Sequence, residues 1–492
     1  MSTEANNRKY NKNETVEILI TDMSNEGEGI GKADGFTVFV KNAVIGDLVR
    51  VKLMKIKKNY GYGRIEEVLK PSADRIEAPC LVSEKCGGCQ IQNMNYAAQL
   101  NFKEKKVVDS LVRIGGFDEG KLRSIMEPVI GMEEPYRYRG KSQFPFGVDK
   151  EGNPVAGFYA GHTHSIISNS DCLIGVSENQ EILNVILEHI RRNHISIYDE
   201  KTGKGLVRHV LIRKGFATGE IMVCLVLNVA YKGQDREYIK KQTELCKLLS
   251  AITGVSSISI SHNTANTNVI MGNTITNIWG NDVIHDVIRL DPDSEGISFA
   301  ISPLSFYQVN PVQVEKLYGV AVEYAGLTGN EAVWDLYCGI GTISLCMAKK
   351  ASMVYGVEII DKAIEDARSN AERNRISNVR FFMGKAEEVL PDFYNDNKGT
   401  PGQSTEDGRM TSPDVIVVDP PRKGCEIECL ETMVRMDPAR IVYVSCNPAT
   451  LARDLAYLTA NGYEVRRFRA VDMFPHSVHV ETVCLLARKV PV

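Results

Sequence analysis

Apolar and polar residues alternate in short runs over the first seventy positions: TVEILITDM, FTVFVKN, LVRVKLMKIKK and YGYGRIEEVL, interrupted by the glycine-rich turn NEGEGIGKADG. A period of two bounded by turn residues marks strands, and strands this short and closely spaced predict a small OB-like β-barrel over 10–70. Pro71 and the polar residues behind it read as a linker. The stretch 71–305 mixes β-rich runs such as VLIRKG, EIMVCLVLNV and SSISISHN with one helical period near 177–193, which predicts an α+β domain. From 306 onward the pattern changes to strands alternating with helices, through EAVWDLYCGIGTISLCMAKKA, SMVYGVEIIDKAIEDARSNAERN, PDVIVVDPPRKG, RIVYVSCNPATLARDLAYL and VETVCLLARK. That alternation predicts a doubly wound, Rossmann-like α/β domain over 306–492, with ligand groups at the carboxyl ends of its strands. Within it, NDNKGTPGQSTEDGRMTSP, residues 395–413, carries no hydrophobic period and reads as a flexible surface insertion.

With 43% hydrophobic and 24% charged residues in 492, the chain is expected to be multidomain and soluble. No apolar run approaches the roughly 20 residues of a membrane span. The start MSTEANNRKYNKNE has no apolar signal stretch, so a cytoplasmic location is expected. A net charge of −4 argues against indiscriminate coating of nucleic acid, yet cations are concentrated locally. RVKLMKIKKNYGYGR, residues 50–64, holds six Lys or Arg, two Tyr and no acid, and YRYRGKSQFPF sets Arg137, Arg139 and Lys141 among four aromatics. Cations interleaved with rings suit phosphates and stacked bases, and equally a solvated strand face with snorkelling lysines.

VWDLYCGIGTIS is a strand, a glycine turn and a helix, a geometry that brings backbone N–H groups against a nucleotide-like ligand. The third glycine of the dinucleotide fingerprint is missing after Gly339 and Gly341. Glu358 ends the next strand, where a carboxylate meets a ribose diol of either a dinucleotide or S-adenosylmethionine. Asp419, followed by two prolines in VVDPPR, ends a later strand in a rigid corner with no evident task in a dinucleotide enzyme.

IVYVSCNPATLARDL places a thiol, Cys446, at the lip of a strand that Asn447 and Pro448 stop at once. Free cysteine is usually buried filler. Its alternative here is nucleophilic chemistry: adding a thiolate to C6 of a pyrimidine makes C5 nucleophilic toward a sulfonium methyl, after which a base must remove the C5 proton. Glu481, opening the last strand, is the candidate base; His476 and His479 compete for the role, and Cys338 and Cys425 are rival thiols without an acid as natural partner. Farther upstream, Cys80, Cys86 and Cys89 form C-x5-C-x2-C. That spacing fits neither duplicated zinc pairs nor a three-cysteine radical site well, and it leaves zinc open.

In order, FYQVNP, DLYCGIGT, VVDPPRKG, SCNPATLARDL and DMFPHSVHVETV resemble the RNA uracil-C5 methyltransferase family, which includes 23S ribosomal and tRNA enzymes. The resemblance spans nearly the whole chain, with Ser477 where threonine is common. It implies a class I methyltransferase domain in which Gln308, Tyr337, Glu358 and Asp419 bind S-adenosyl-L-methionine, Cys446 is the nucleophile and Glu481 the base. It adds Cys172 as fourth ligand to Cys80, Cys86 and Cys89 around a 4Fe-4S cluster in the central domain. The barrel resembles a TRAM domain, an RNA-binding module. The expected substrate is structured RNA, first of all 23S rRNA; a tRNA uracil-C5 methyltransferase is the alternative, and an RNA-binding iron–sulfur protein with a vestigial methyltransferase fold is the non-enzymatic one.

Overall fold

A computed structural model describes residues 9–161, 163–390 and 413–489. The insertion expected over 395–413 lies, except for its last residue, outside the described residues. The chain forms two compact units. The first holds residues up to Lys106 together with Phe158–Ile167 and Phe474–His479; the second holds Val107–Gly157, Ser168–Met473 and the chain from Val480 onward. The first unit thus runs past residue 70 to Lys106 and takes in 158–167 and 474–479 as well.

In the first unit, β1 (Thr15–Met23), β2 (Gly29–Ala33), β3 (Phe36–Lys41), β4 (Leu48–Ile56) and β5 (Tyr60–Lys70) form a closed barrel in the order β1-β2-β3-β5-β4. The period-two reading is realised side chain by side chain: Val49, Val51 and Leu53 are buried while Arg50, Lys52 and Met54 point away. Gly63 explains the YGYG stretch. A Cβ there would lie 2.1 Å from Val51 Cγ1, so the inward positions of β5 have no room for a side chain and its tyrosines face outward. Beyond the barrel, α1 (Tyr96–Arg113) begins in this unit, where Ala98 and Phe102 join Met23, Val44, Ile91, Met94 and Val478 in a small core.

After α1 come α2 (Glu119–Ile125), β6 (Met126–Ile130), β7 (Lys141–Val148), β8 (Pro154–Tyr159), β9 (Ile166–Ser168), α3 (Glu178–Asn193), β10 (Val207–Lys214), β11 (Ile221–Leu227), α4 (Gln242–Ser250), β12 (Val255–His262) and β13 (Thr274–Gly280), all in the second unit except the end of β8 and the start of β9. β7 to β13 build a mixed sheet ordered β13-β12-β11-β10-β7-β8-β9. β14 (Ile284–Ile288) and β15 (Ile297–Ile301) form a hairpin.

Then follow α5 (Pro311–Ala325), β16 (Ala332–Leu336), α6 (Thr342–Ala348), β17 (Met353–Glu358), α7 (Asp361–Arg373), β18 (Val379–Met383), β19 (Val415–Val418), α8 (Ile427–Met436), β20 (Arg440–Ser445), α9 (Pro448–Ala460), β21 (Tyr463–Val471) and β22 (Glu481–Arg488). Their sheet runs β18-β17-β16-β19-β20-β22-β21-β6, parallel from β18 to β20, with β22 antiparallel between β20 and β21. β16 and β19 are buried at every residue, as strands covered on both faces must be. Strand order reverses between β16 and β19, the place where open α/β sheets bind ligands. Among the described residues no helix is long and apolar enough to cross a membrane.

Candidate active site

Cys446 follows the last residue of β20 and precedes the cap of α9. Asn447 caps that helix with its side chain, accepting Ala449 N–H at 3.1 Å, and Pro448 occupies the first helical position. The thiol is therefore pinned between a buried strand and a capped helix at the carboxyl edge of the sheet. β20 and β22 pair antiparallel with Ser445 opposite Thr482. Cys446 and Glu481 each adjoin that last pair, and the charge of Glu481 is felt at the Cys446 thiol. Glu481 is buried, and Cys446 is half-buried.

The charges around this pair oppose ionisation. Burial first, then Glu481 and Asp419, push the Cys446 thiol up to about 12, with Arg422 acting in the other direction. Burial and then Asp419 hold Glu481 well above the usual carboxylate range, again against Arg422. Asp419, at the end of β19, is itself raised to about 7 by desolvation. In the free site both groups are therefore pushed toward their protonated forms. Arg422, in the DPPR corner, went unremarked in the sequence. Its carbonyl accepts Asn447 Nδ2 at 3.0 Å and Thr450 Oγ1 at 3.3 Å, which ties the Asp419 corner to the Cys446 turn.

Two strands away is the glycine turn after β16. Tyr337, Gly339 and Gly341 all have positive φ (66°, 55° and 80°), and at Tyr337 this costs roughly 1–2 kcal/mol of backbone strain. Gly341 is required twice over, since a Cβ there would also lie 2.9 Å from Phe381 Cζ. Glu358, at the end of β17, accepts Gly339 N–H at 3.1 Å through one oxygen and Ile359 and Ile360 N–H at 2.8 and 3.0 Å through the other. A carboxylate offers about four acceptor sites, so lone pairs remain for diol hydroxyls. Tyr318 on α5 gathers the remaining groups: its hydroxyl lies 3.1 Å from Thr342 Oγ1, bonds Gln308 and feels the charge of Asp419. Beneath the turn, buried Asp335 accepts Ser344 Oγ–H on one oxygen, has no hydrogen-bond partner on Oδ1, and is raised to about 7 chiefly by desolvation. Open space beside Gly339, the diol acceptor at Glu358 and this cluster fit a sulfonium nucleoside. Tyr318 and Asp335 were missed from sequence because both read as ordinary positions of an apolar helix and a core strand.

The rivals stand elsewhere. Cys338 is buried and pushed up by desolvation. Cys425 is raised by a side-chain hydrogen bond with Cys429 and by burial, and its N–H is held by Asp454. His476 is buried in the first unit with its ring Nδ1 3.2 Å from Gln99 Nε2, and His479 is exposed. Of the two basic runs, the first carries Lys55, Lys57 and Lys58 exposed near the ring trio Phe39, Tyr60 and Tyr62, with centroids 5.6–5.8 Å apart. Arg50 is already paired with Glu17 and Glu67. In the second run Tyr138, Phe144 and Phe146 are core and Arg137 pairs with Asp171 at 2.6 Å, so three of its four aromatics cannot stack on a base.

Cys80, Cys86, Cys89 and Cys172 are partly exposed thiols. Cys86 Sγ accepts Gly88 N–H at 3.4 Å, and Cys86 is raised by burial and by nearby Cys80, with Cys172 in the other compact unit. Among the described residues no group of three or more His, Cys, Asp or Glu is arranged to hold a metal ion. The donor chemistry suits a cluster, but the expected four-cysteine grouping is not found among them.

Comparison with known proteins decides the family. The tRNA (Uracil-5-)-methyltransferase family model matches residues 238–489, and the TRAM domain matches residues 9–65. Uncharacterized RNA methyltransferases from Clostridium tetani and Listeria innocua are 46% and 45% identical to the chain, over 96% and 97% of its length and 96% and 98% of theirs. The chain belongs to the tRNA (uracil-5-)-methyltransferase family. It is an RNA (uracil-C5-)-methyltransferase with an N-terminal TRAM domain. Its fold also matches the Pyrococcus abyssi tRNA (uracil-54, C5)-methyltransferase, solved with S-adenosyl-L-homocysteine, at a TM-score of 0.70 and 26% identity, covering 96% of this chain and 100% of that one.

Proposed function

We propose that the chain methylates C5 of uracil in structured RNA with Cys446 as nucleophile and Glu481 as base. The observation that supports this reading is the Ser445–Thr482 pair, which Cys446 and Glu481 adjoin at the carboxyl edge of the sheet. Gln308, Tyr337, Glu358 and Asp419 hold S-adenosyl-L-methionine, which supplies the electrophilic methyl and a positive sulfonium. Glu358 takes the ribose hydroxyls; Asp419 faces the reacting groups. Cys446 Sγ adds to C6 of a uracil drawn out of its stack, C5 takes the methyl, and Glu481 then accepts the C5 proton as the thiolate leaves. The thiolate is disfavoured in the free site, so ionisation is coupled to filling it: cationic charge near Asp419 and Cys446 lowers both groups.

The barrel contributes phosphate and base contacts through Lys55, Lys57, Lys58, Tyr60 and Tyr62. The favoured substrate is 23S rRNA in the cytoplasm; tRNA is the second reading, supported by the name of the Pyrococcus relative. Cys80, Cys86, Cys89 and Cys172 are proposed, on the family resemblance, to hold a 4Fe-4S cluster with a structural or RNA-positioning role; no catalytic step runs through it. Two measurements test the enzyme reading. Glu481→Gln should leave a denaturant-resistant protein–RNA adduct and Cys446→Ala none; an adduct retained by Cys446→Ala would move the nucleophile elsewhere. Mapping 5-methyluridine in ribosomal and transfer RNA with and without the gene identifies the substrate, and loss from tRNA alone overturns the ribosomal assignment.

A further inference from the structure

Arg422 lies in the connection 419–426 between β19 and α8, which belongs to no strand or helix, so the position of this cation depends on what holds the connection. One face of α9 and its cap hold it, and every residue involved belongs to the second compact unit. Asn447 Nδ2 donates to Arg422 O at 3.0 Å, and Thr450 Oγ1 lies 3.3 Å from the same oxygen. Arg453 Nη2 donates to Lys423 O at 3.1 Å and to Cys425 O at 3.0 Å. Asp454 Oδ2 accepts Cys425 N–H at 2.9 Å. Positions 447, 450, 453 and 454 recur at the spacing of one helix face, so consecutive turns of α9 grip the backbone of 422–425. Asp454 is wholly buried, where a carboxylate is tolerated only if donors satisfy it; Tyr443 O–H at 2.6 Å and Arg453 Nε–H at 2.7 Å join the Cys425 N–H. Gly424 closes the turn onto the helix. Its φ is 78°, and a Cβ there would lie 2.6 Å from both Arg453 Nη2 and Asp454 Oδ2.

We propose that Arg453 and Asp454 are positioning residues for the attack on C6: by clamping the backbone of 422–425 they keep the Arg422 guanidinium close to Cys446 and Glu481. The inference rests on Cys446 being the nucleophile. Arg422 is the side chain whose charge favours the ionised form of both groups, against burial and Asp419. In the step it serves, the Cys446 S–H bond breaks and its proton leaves to solvent. The Sγ electron pair then forms the bond to C6, the C5=C6 pair shifts to C4–C5, and the C4 carbonyl pair moves onto its oxygen, giving the enolate that takes the methyl. Arg453 and Asp454 act on this step through Arg422 alone. A slack clamp therefore lowers the fraction of thiolate at a given pH and leaves the later steps as they are.

The test measures peptide-resolved alkylation of Cys446 by iodoacetamide in full-length protein carrying Asp454→Asn, Arg453→Gln or Gly424→Ala, each alone and together with Arg422→Ala. Asp454→Asn removes an anion, which by direct charge would speed alkylation, whereas loss of the clamp slows it. Gly424→Ala changes no charge and the Arg453 side chain is half-exposed, so these two carry the test if Asp454→Asn does not fold. The expected result is alkylation slowed by about twofold in each single variant at low salt, a difference that salt erases, with no further slowing in the Arg422→Ala background. Folded variants alkylated at the wild-type rate or faster, or slowed further where Arg422 is already gone, overturn the clamp. Alkylation reads the thiol whether or not it is the nucleophile. An RNA adduct formed by Cys446→Ala would therefore remove the nucleophile assignment separately, and with it the step that the clamp serves.

Discussion

Cys446 and Glu481 each adjoin the Ser445–Thr482 pair that ends the β20–β22 ladder, and the charge of Glu481 is felt at the thiol. Whichever of the two ionises first makes the other harder to ionise, and Asp419 adds to the effect on both. The thiol, pushed up to about 12, should be a slow nucleophile in the free protein. Peptide-resolved alkylation by iodoacetamide should show the rate at Cys446 rising about tenfold per pH unit from 7 to 10 without a plateau, since only the thiolate reacts. A plateau near pH 8.5 would show an ordinary thiol. Removing the opposing cation with Arg422→Ala should slow alkylation at a given pH by about two- to threefold at low salt, an effect that salt erases.

Asp335 gives a pH dependence of stability with a definite sign. Its carboxyl is raised from 3.8 to about 7 in the folded protein, mainly by burial. The contribution of the protonated form is complete below the unfolded value near pH 4 and is lost as pH rises through 7, beyond which it stays constant. Each pKa unit corresponds to about 1.4 kcal/mol, so the loss is at most about 4 kcal/mol. Asp335→Asn should remove it: urea midpoints at pH 5 and pH 8 should converge in the variant relative to wild type. A variant whose midpoints diverge as wild type's do would show that Asp335 is ionised throughout.

Local chemistry was what the sequence made legible. The stop of β20 at Cys446 is written in Asn447 and Pro448, a cap and a first-turn proline acting on their own neighbours. The barrel followed from a period of two, and Glu358 from its place at the end of an apolar run. What escaped depends on partners distant in sequence. Nothing local to VETVCLLAR says that β22 runs antiparallel between β20 and β21, yet that insertion is what brings Glu481 to Cys446. Tyr138, Phe144 and Phe146 were read beside cations, but all three are buried, which depends on what packs over them and not on their neighbours in sequence. The rise of the Cys446 thiol is likewise a sum over Glu481, Asp419 and Arg422, which lie in three separate segments.

The cysteine-rich segment makes a measurement that does not depend on catalysis. If Cys80, Cys86, Cys89 and Cys172 take up a 4Fe-4S cluster, protein purified without oxygen should be brown and carry about four irons per chain. Cys86→Ser should lower iron content and stability while sparing S-adenosylmethionine binding, because Glu358 and the glycine turn belong to the second unit. Colourless protein with one zinc would replace the cluster with the site that the spacing left open. Iron and stability unchanged in Cys86→Ser would remove Cys86 from any metal site.

The barrel separates cations that are free from one that is occupied. Arg50 lies between Glu17 and Glu67, and those acids compete with any phosphate for its guanidinium. Lys55, Lys57 and Lys58 are exposed at the end of the β4–β5 hairpin, beside Tyr60 and Tyr62. Each phosphate contact contributes about 0.7 to 0.9 to the slope of log affinity against log salt. Replacing the three lysines by Gln should therefore reduce that slope by about two to three, whereas Arg50→Gln should change it by well under one. Tyr60→Ala should weaken RNA binding by about 1–3 kcal/mol if a base stacks on it, with the salt slope kept. Binding curves at several salt concentrations distinguish these outcomes, and equal slope losses for Arg50→Gln and for any single lysine variant would show that the acidic pair does not hold Arg50 away from RNA.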